Sequence, residues 1–360
     1  MTRVPEDATA KHYDFHHGHF GYRGKPRVRA LQRFLATAEV TRGRLPGMSC
    51  LEAGGSGNKA RTLALMGCKE IHYIDLSETN TSCVRQEAER RGLPIGVTQG
   101  SMLDPHPELD GRFDLIICDG VIHHTVDPAL GLLHMRNWLK KDGILFVNCY
   151  RSGSLWYFWI EMVRQMVAQT GIAYADFLEL TALSPWKIPT LALIDDGYVP
   201  LLHPIDAVTF THDLEVLGFR IVRTDRDLAP HATTRPMLEF VARKNRDTNV
   251  TVDELKYHAG HDQFDLDYDD ETRTVIREFH EFKKHIAASE YHSAMAVLAS
   301  LSLTRAFFEA CEMEGPPVLW KLRALASVRA LRVLRWRRDP RAYFYRQARA
   351  LFAAGTTETR

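Results

Sequence analysis

The 360-residue sequence has no Cys-x-x-Cys pair, no apolar run long enough to cross a bilayer and almost no net charge. Its six cysteines, at positions 50, 68, 83, 118, 149 and 311, are scattered. That spacing excludes a zinc ribbon or a disulfide framework and reads as reduced intracellular thiols, so a cytoplasmic address is expected. A bilayer span needs about 18 consecutive apolar residues, and the opening Met1-Thr2-Arg3-Val4-Pro5-Glu6-Asp7 has no apolar signal core, so neither a span nor a targeting signal is expected. With 46 Lys and Arg against 45 Asp and Glu, a formal charge of +1, the chain has no global steering towards nucleic acid or anionic membrane. No fixed-period repeat is evident. What remains, 45% hydrophobic and 25% charged, is enough for one large or two ordinary domains with a full core.

Short apolar runs alternate with longer helical patterns, which predicts a doubly wound parallel sheet. Strands are expected at 49–53, 70–75, 96–99, 114–119 and 143–149, then at 220–225 and 237–243. Helices are expected to begin after Gly57, after Ser77 and after Asp127-Pro128, each marked by a polar or proline start signal.

Two of these strand ends carry the most informative residues. Leu51-Glu52-Ala53-Gly54-Gly55-Ser56-Gly57-Asn58 is a glycine-rich turn between a strand and a helix, and Asp75 follows at the tip of the next strand. Glycines let the backbone turn sharply and approach a ligand, and a carboxylate at the second tip can accept both hydroxyls of a ribose. A nucleoside-type cofactor is the implication.

Glu52 to Gly57, Asp75, the run Phe113 to His124 and the run Leu139 to Val147 together resemble the successive motifs of class I S-adenosylmethionine-dependent methyltransferases. The resemblance covers about residues 48–244. It implies a Rossmann-like, seven-stranded, mostly parallel α/β sheet, here with a helical insert and a C-terminal helical region. The implied organisation is an N-terminal cap (1–47), a core (48–152 and 205–245), a helical lid (153–204) and a C-terminal helical domain (250–360). The family loop has no dinucleotide-type phosphate cradle, which implies S-adenosylmethionine in place of NAD. This loop departs from the usual pattern in carrying Ser56 and Asn58, and Lys141-Asp142-Gly143 stands where Pro-Gly-Gly is common.

Carried over residue by residue, the resemblance gives Glu52 to the methionine amino group or loop waters, and Gly54, Gly55 and Gly57 to close approach of the backbone. Asp75, with Leu76 beside it, goes to the ribose, and Ser101 and Met102 stand where the family has an acid for the adenine amino group. Asp104 is either a helper there or a turn former. Asp119 and Gly120 stand beside the methyl group, and Tyr22 and Arg23 of the cap are placed near the cofactor carboxylate.

Methyl transfer needs a nucleophile held in line with the sulfonium methyl, and a base only if that nucleophile keeps its proton. His123 and His124, at the end of the fourth strand, and Asn148 and Tyr150, at the end of the fifth, are the catalytic candidates. Structural support is the competing reading for the histidine pair. The aromatic insert supplies Trp156, Asp196, Tyr198 and His203 as substrate candidates. The histidine-rich leader 12–24 and the acidic run 265–270 both lack the matching geometry of a metal site, and no metal is expected.

From Trp320 to Arg349, ten basic residues face one acid and are interleaved with leucines and aromatics. Burial of that segment on the body or on a second copy is preferred to RNA or membrane contact. The function expected is methylation of an O, N or C nucleophile on a small-molecule metabolite. Use of the aminocarboxypropyl arm of the cofactor, with release of methylthioadenosine, and a cofactor-binding scaffold or RNA-associated protein are the alternatives.

Overall fold

The computed structural model describes residues 4–20, 28–151, 196–224 and 237–255, with Arg164, Arg277, Glu281, Lys284 and His285 individually. The chain divides into two units, one of Met1–Ser152, Val199–Ala232 and Met237–Gln263, the other of Gly153–Tyr198, Thr233–Pro236 and Phe264–Arg360. Among the described residues no helix is long and apolar enough to cross a membrane.

The first unit holds one seven-stranded sheet. Its strands are β1 (Ser49–Ala53), β2 (Glu70–Asp75), β3 (Ile95–Gln99), β4 (Phe113–Asp119), β5 (Leu139–Tyr150), β6 (Phe219–Thr224) and β7 (Met237–Lys244), in the order β3-β2-β1-β4-β5-β7-β6. β1 to β5 run parallel, and β7 is antiparallel to both β5 and β6. The expected Rossmann-like, mostly parallel sheet is therefore present. Its order reverses between β1 and β4, the point at which open α/β sheets bind ligands outside the carboxyl ends of the strands.

All five residues of β1 are buried, as a strand covered on both faces must be. Alternation then divides the core in two. Leu51, Ala53, Ile116, Val147 and their neighbours pack with Leu132, Met135 and Trp138 of α5 (Pro128–Trp138) and with Phe210 and Leu214 of α6 (Ala207–Val216). Cys50, Ile71, Tyr73, Ile117 and Phe146 face the other way. They pack with Leu31, Phe34 and Leu35 of α2 (Val28–Thr37), Ala60 and Leu63 of α3 (Asn58–Leu65) and Val84 of α4 (Glu78–Arg91).

The helix starts follow the expected signals. The Ser77 hydroxyl accepts from the Asn80 N–H, the Asp127 carboxylate from Leu130 N–H ahead of Pro128, and Asp206 from Thr209 N–H. The leader is α1 (Val4–Phe20).

One strand differs from expectation. β5 begins at Leu139 instead of Gly143, because Phe113 pairs with Leu139 while Leu115 pairs with Ile144, so the residues between bulge out. Lys140, Lys141 and Asp142 read as a polar turn in sequence, and Asp142 does adopt a left-handed φ of 62°. After β5 the chain returns early: Ile205 N–H donates to the Tyr150 carbonyl at 2.7 Å, and Arg151 and Ile205 form a parallel bridge.

Candidate functional site

The glycine loop is shaped by steric need. Gly54, Gly55 and Gly57 have φ of 76°, 84° and 71°. A Cβ on Gly54 would meet Val121 Cγ1 at 2.4 Å, and one on Gly57 would meet Val84 Cγ2 at 2.2 Å. At Gly55 a Cβ would be in ordinary contact with Val121 Cγ2 at 3.6 Å and with the Asp119 carbonyl and Glu52 Oε1 at 3.8 Å, so there the left-handed φ, and not space, is what requires glycine. The loop is tied to β2 by Gly54 N–H on the Ile74 carbonyl (2.7 Å) and by the Tyr73 hydroxyl on the Gly55 carbonyl (2.5 Å). Glu52, buried beneath, accepts from the Ala60 N–H at 2.6 Å, an acid held at the positive start of α3. Burial nevertheless pushes its carboxyl up to about 7, against the pull of Lys59 and the backbone N–H groups.

Asp75 stands at the tip of β2. Its Oδ1 accepts from Ser77 N–H at 2.7 Å, and burial again raises the carboxyl to about 7 despite donors from Ser77, Tyr73 and Asn80. A carboxylate has about four acceptor positions and three are taken, so a ligand's hydroxyl has room here. Leu76 next to it is half-buried.

Helix α1 reaches two of the expected site residues, Ser101 and His124, and the helix start beside Asp75. The Asp14 carboxylate accepts from the Ser77 hydroxyl (2.5 Å) and Thr79 N–H (2.9 Å), beside Asp75 at the start of α4. Glu6, buried, accepts from the Ser101 hydroxyl at 3.3 Å. Tyr13 Oη lies 2.9 Å from His124 Nε2. Glu6, Thr9 and Tyr13, spaced by three and four, share one helix face, and that face is polar. Ser101 also accepts from Leu103 N–H, and the carbonyl of Met102 lies 2.9 Å from His134 Nδ1. Asp104 N–H bonds to the Ser101 carbonyl in the turn that follows.

At the end of β4, Asp119 is held from both sides: Lys59 pairs with its Oδ2, and Asn148 Nδ2 donates to its Oδ1 at 2.8 Å. Asn148 Oδ1 is buried with no hydrogen-bond partner among the described residues. A buried acceptor in that state calls for a donor. Gly120, with φ of 77°, gives its N–H to the Asn148 carbonyl.

The two histidines occupy a 3-10 turn, Ile122–His124, just beyond. His123 Nδ1 accepts from Tyr150 N–H at 3.2 Å, so its ring proton sits on Nε2. Burial, with His124 and His203 adding to it, holds His123 well below its ordinary value and therefore neutral. Its carbonyl accepts from His203 N–H at 2.8 Å. His124 is the opposite tautomer. Nδ1 lies 2.8 Å from the Leu201 carbonyl, which can only accept, so Nδ1 carries a proton, and in the neutral ring Nε2 is left to accept from the Tyr13 hydroxyl.

The fold thus gathers Glu52, the glycine loop, Asp75, Asp119, Gly120 and Asn148 at the carboxyl ends of adjoining strands. It places His123, Tyr150 and His203 together, with His124 beside them. Tyr22, Arg23 and Trp156 lie outside the described residues. Asp196 and Tyr198 belong to the second unit, where the Asp196 carbonyl accepts from Arg164 at 2.9 Å. Glu6, Tyr13, Asp14 and Lys59 do not stand out as site residues in the sequence. The helical spacing of Glu6, Thr9 and Tyr13 is the one signal for α1, and it is masked by a histidine-rich segment with no apolar stripe.

Residues 51–147 match the family model described as a methyltransferase domain. A ubiquinone biosynthesis O-methyltransferase of Caulobacter vibrioides is 32% identical over 122 residues, which is 34% of this chain and 48% of that protein. One from Glaesserella parasuis is 28% identical over 149 residues, 39% of this chain and 63% of that protein. The chain spans less than two thirds of the length of these curated relatives. Among solved structures, the magnesium protoporphyrin IX methyltransferase of Synechocystis PCC 6803 with bound SAH is similar over 60% of this chain and 81% of that one, at 16% identity and a TM-score of 0.39.

Proposed function

We propose that this member of the class I S-adenosylmethionine-dependent methyltransferase family, with residues 51–147 as its methyltransferase domain, transfers the cofactor's methyl group to a nucleophile on a small-molecule metabolite. The observation that carries the reading is the left-handed glycine loop at the sheet's switch point with the Asp75 carboxylate at the tip of the neighbouring strand. These residues fit the cofactor. Asp75 would take the ribose hydroxyls, Gly54, Gly55 and Gly57 would border the amino-acid part, and Ser101 and Met102, with Glu6 supplying the acid, would border the adenine. Asn148 Oδ1, buried without a donor, suits an ammonium. When bound, S-adenosylmethionine supplies an electrophilic methyl on a sulfonium. The chain's own part is to orient the acceptor, exclude water and take up a proton where the acceptor carries one.

An O, N or C acceptor is compatible with this site, and the O-methyltransferase name of the Caulobacter relative favours oxygen. The insert 153–204 is assigned the choice of acceptor, and the region 250–360 is assigned packing on the body or on a second copy, on the strength of their aromatic and basic-amphipathic sequences. The scattered cysteines support a cytoplasmic setting.

The test is to incubate the full chain with methyl-labelled S-adenosylmethionine and the small-molecule fraction of a cell extract. S-adenosylhomocysteine and a labelled small product are expected. Methylthioadenosine would show transfer of the carbon arm instead, and failure to bind S-adenosylhomocysteine would overturn the reading entirely.

A further inference from the structure

Resting on the transferase reading, we propose that Tyr13 and His124 form a proton-accepting pair for a hydroxyl nucleophile, with Tyr13 Oη touching the acceptor and His124 Nε2 taking the proton. The acceptor would be an alcohol or phenol, whose oxygen keeps its proton at neutral pH. A carboxylate or a free amine needs no such pair.

The geometry is directional. The Leu201 carbonyl holds a proton on His124 Nδ1, so in the neutral ring Nε2 is an acceptor aimed at the Tyr13 hydroxyl 2.9 Å away. Tyr13 is half-buried, so its hydroxyl is neither sealed in the core nor loose in solvent. His124 stands just past the end of β4, its ring centroid 6.4 Å from that of Tyr150 at the end of β5, the two strands whose ends also carry Asp119 and Asn148. A ring-edge contact between Tyr13 and His124, centroids 5.4 Å apart, holds the two in register. The neighbouring His123 is bound differently. Its Nδ1 accepts from the Tyr150 backbone N–H and the ring is fully enclosed, so it serves as the wall against which His124 is set, their centroids 4.2 Å apart.

The step balances. The acceptor's proton passes to Tyr13 Oη as Tyr13's own proton passes to His124 Nε2. The oxygen lone pair closes on the methyl carbon, the electron pair of the broken C–S bond remaining on sulfur. His124 ends as imidazolium with Nδ1–H still on Leu201, so the positive charge of the sulfonium has been transferred to the ring. Release of that proton to water resets the pair. A positioned base of this kind contributes roughly 10²- to 10⁴-fold to a rate.

The alternative role for this hydrogen bond is to dock α1, and the two roles separate experimentally. In the full chain, Tyr13→Phe removes the hydroxyl and keeps the ring. Turnover of the extract's acceptor is expected to fall about 100-fold or more in kcat, with affinity for S-adenosylhomocysteine within about twofold of the parent. Nitrogen-15 NMR of the resting protein is expected to show His124 protonated on Nδ1, with the Nε2 resonance moving in Tyr13→Phe. The labelled product is expected to be a methyl ether. Parental turnover by Tyr13→Phe, an Nε2-protonated His124, or a product methylated on nitrogen, carbon or a carboxylate would overturn the pair while leaving the transferase reading in place. Loss of S-adenosylhomocysteine affinity in Tyr13→Phe in step with turnover would assign the bond to docking and overturn it too. Absence of S-adenosylhomocysteine binding by the unmodified chain would instead overturn the transferase reading on which the pair rests.

Discussion

The two ends of one sheet treat their carboxylates in opposite ways. At the amino end, Asp114 accepts from Ser49 N–H, the Ser49 hydroxyl and Lys140 Nζ, at 2.8 to 3.1 Å. Burial raises that carboxyl, but Lys140 and the two Ser49 bonds outweigh it and leave Asp114 below its ordinary value. At the carboxyl end, Glu52 and Asp75 are pushed up to about 7, because burial there exceeds what their donors return. A satisfied carboxylate ties strands together. One whose burial outweighs its donors is a cost to the fold, and strongly perturbed acids of this kind mark candidate sites.

The contrast would be sharpened most at the glycines. Gly57→Ala puts a Cβ 2.2 Å from Val84 Cγ2 in a left-handed backbone, and a loss of about 2 to 4 kcal/mol of stability is expected from overpacking and strain together. Gly67, past the end of α3 with φ of 99°, has nothing within 4 Å of where a Cβ would stand, so Gly67→Ala should cost only about 1 kcal/mol, the backbone part alone. Denaturant unfolding of the two variants measures the difference, and equal losses would break the contrast.

Exchanging the acids comes next. Asp75→Ala should weaken S-adenosylmethionine about tenfold or more, since bonds to a charged acceptor are worth roughly 1.5 to 3 kcal/mol, while stability is kept or gained. Asp114→Ala should do the reverse, costing about 1 kcal/mol of stability at a partly exposed site and leaving cofactor affinity unchanged. Calorimetry and melting on both variants decide, and a crossed result would remove the distinction.

The smallest effect is on pH. Glu52 and Asp75 have folded values near 7 against ordinary values of 4.5 and 3.8. Between about 4 and 7 the folded state therefore binds more protons than the unfolded one, so their contribution to stability is full at the acid end and is lost as pH rises. Without ligand, stability should fall steadily across that window, and S-adenosylhomocysteine should stabilise more at pH 8 than at pH 5. Melting curves showing the same slope in variants lacking both acids would count against the assignment.

Much of this end of the molecule is legible in sequence, for identifiable reasons. Parallel strands buried on both faces leave apolar runs such as Leu115–Cys118, and Ser77 and Asp127 announce the helices after them. Asp75 is found because one strand-helix-strand unit fixes its distance from the glycine loop. β5 is cut short because a bulge of Lys140–Gly143 looks like a turn. The inward face of α1 is missed because it is polar, so hydrophobic periodicity has nothing to register, and because Tyr13 meets a histidine 111 positions away. Glu6 is hidden likewise, since it meets Ser101 from 95 positions away.

The central claim, that the Asp75 carboxylate accepts from a ribose, is tested most directly by calorimetry of S-adenosylhomocysteine binding from about pH 5.5 to 8.5 in the parent and in Asp75→Asn. Hydroxyl donors bind the charged carboxylate better than the acid, so affinity in the parent should rise with pH to a plateau just above about 7, and Asp75→Asn should be weaker at the plateau by about tenfold with a flatter profile. A parent profile identical to that of Asp75→Asn, at equal affinity, would contradict it.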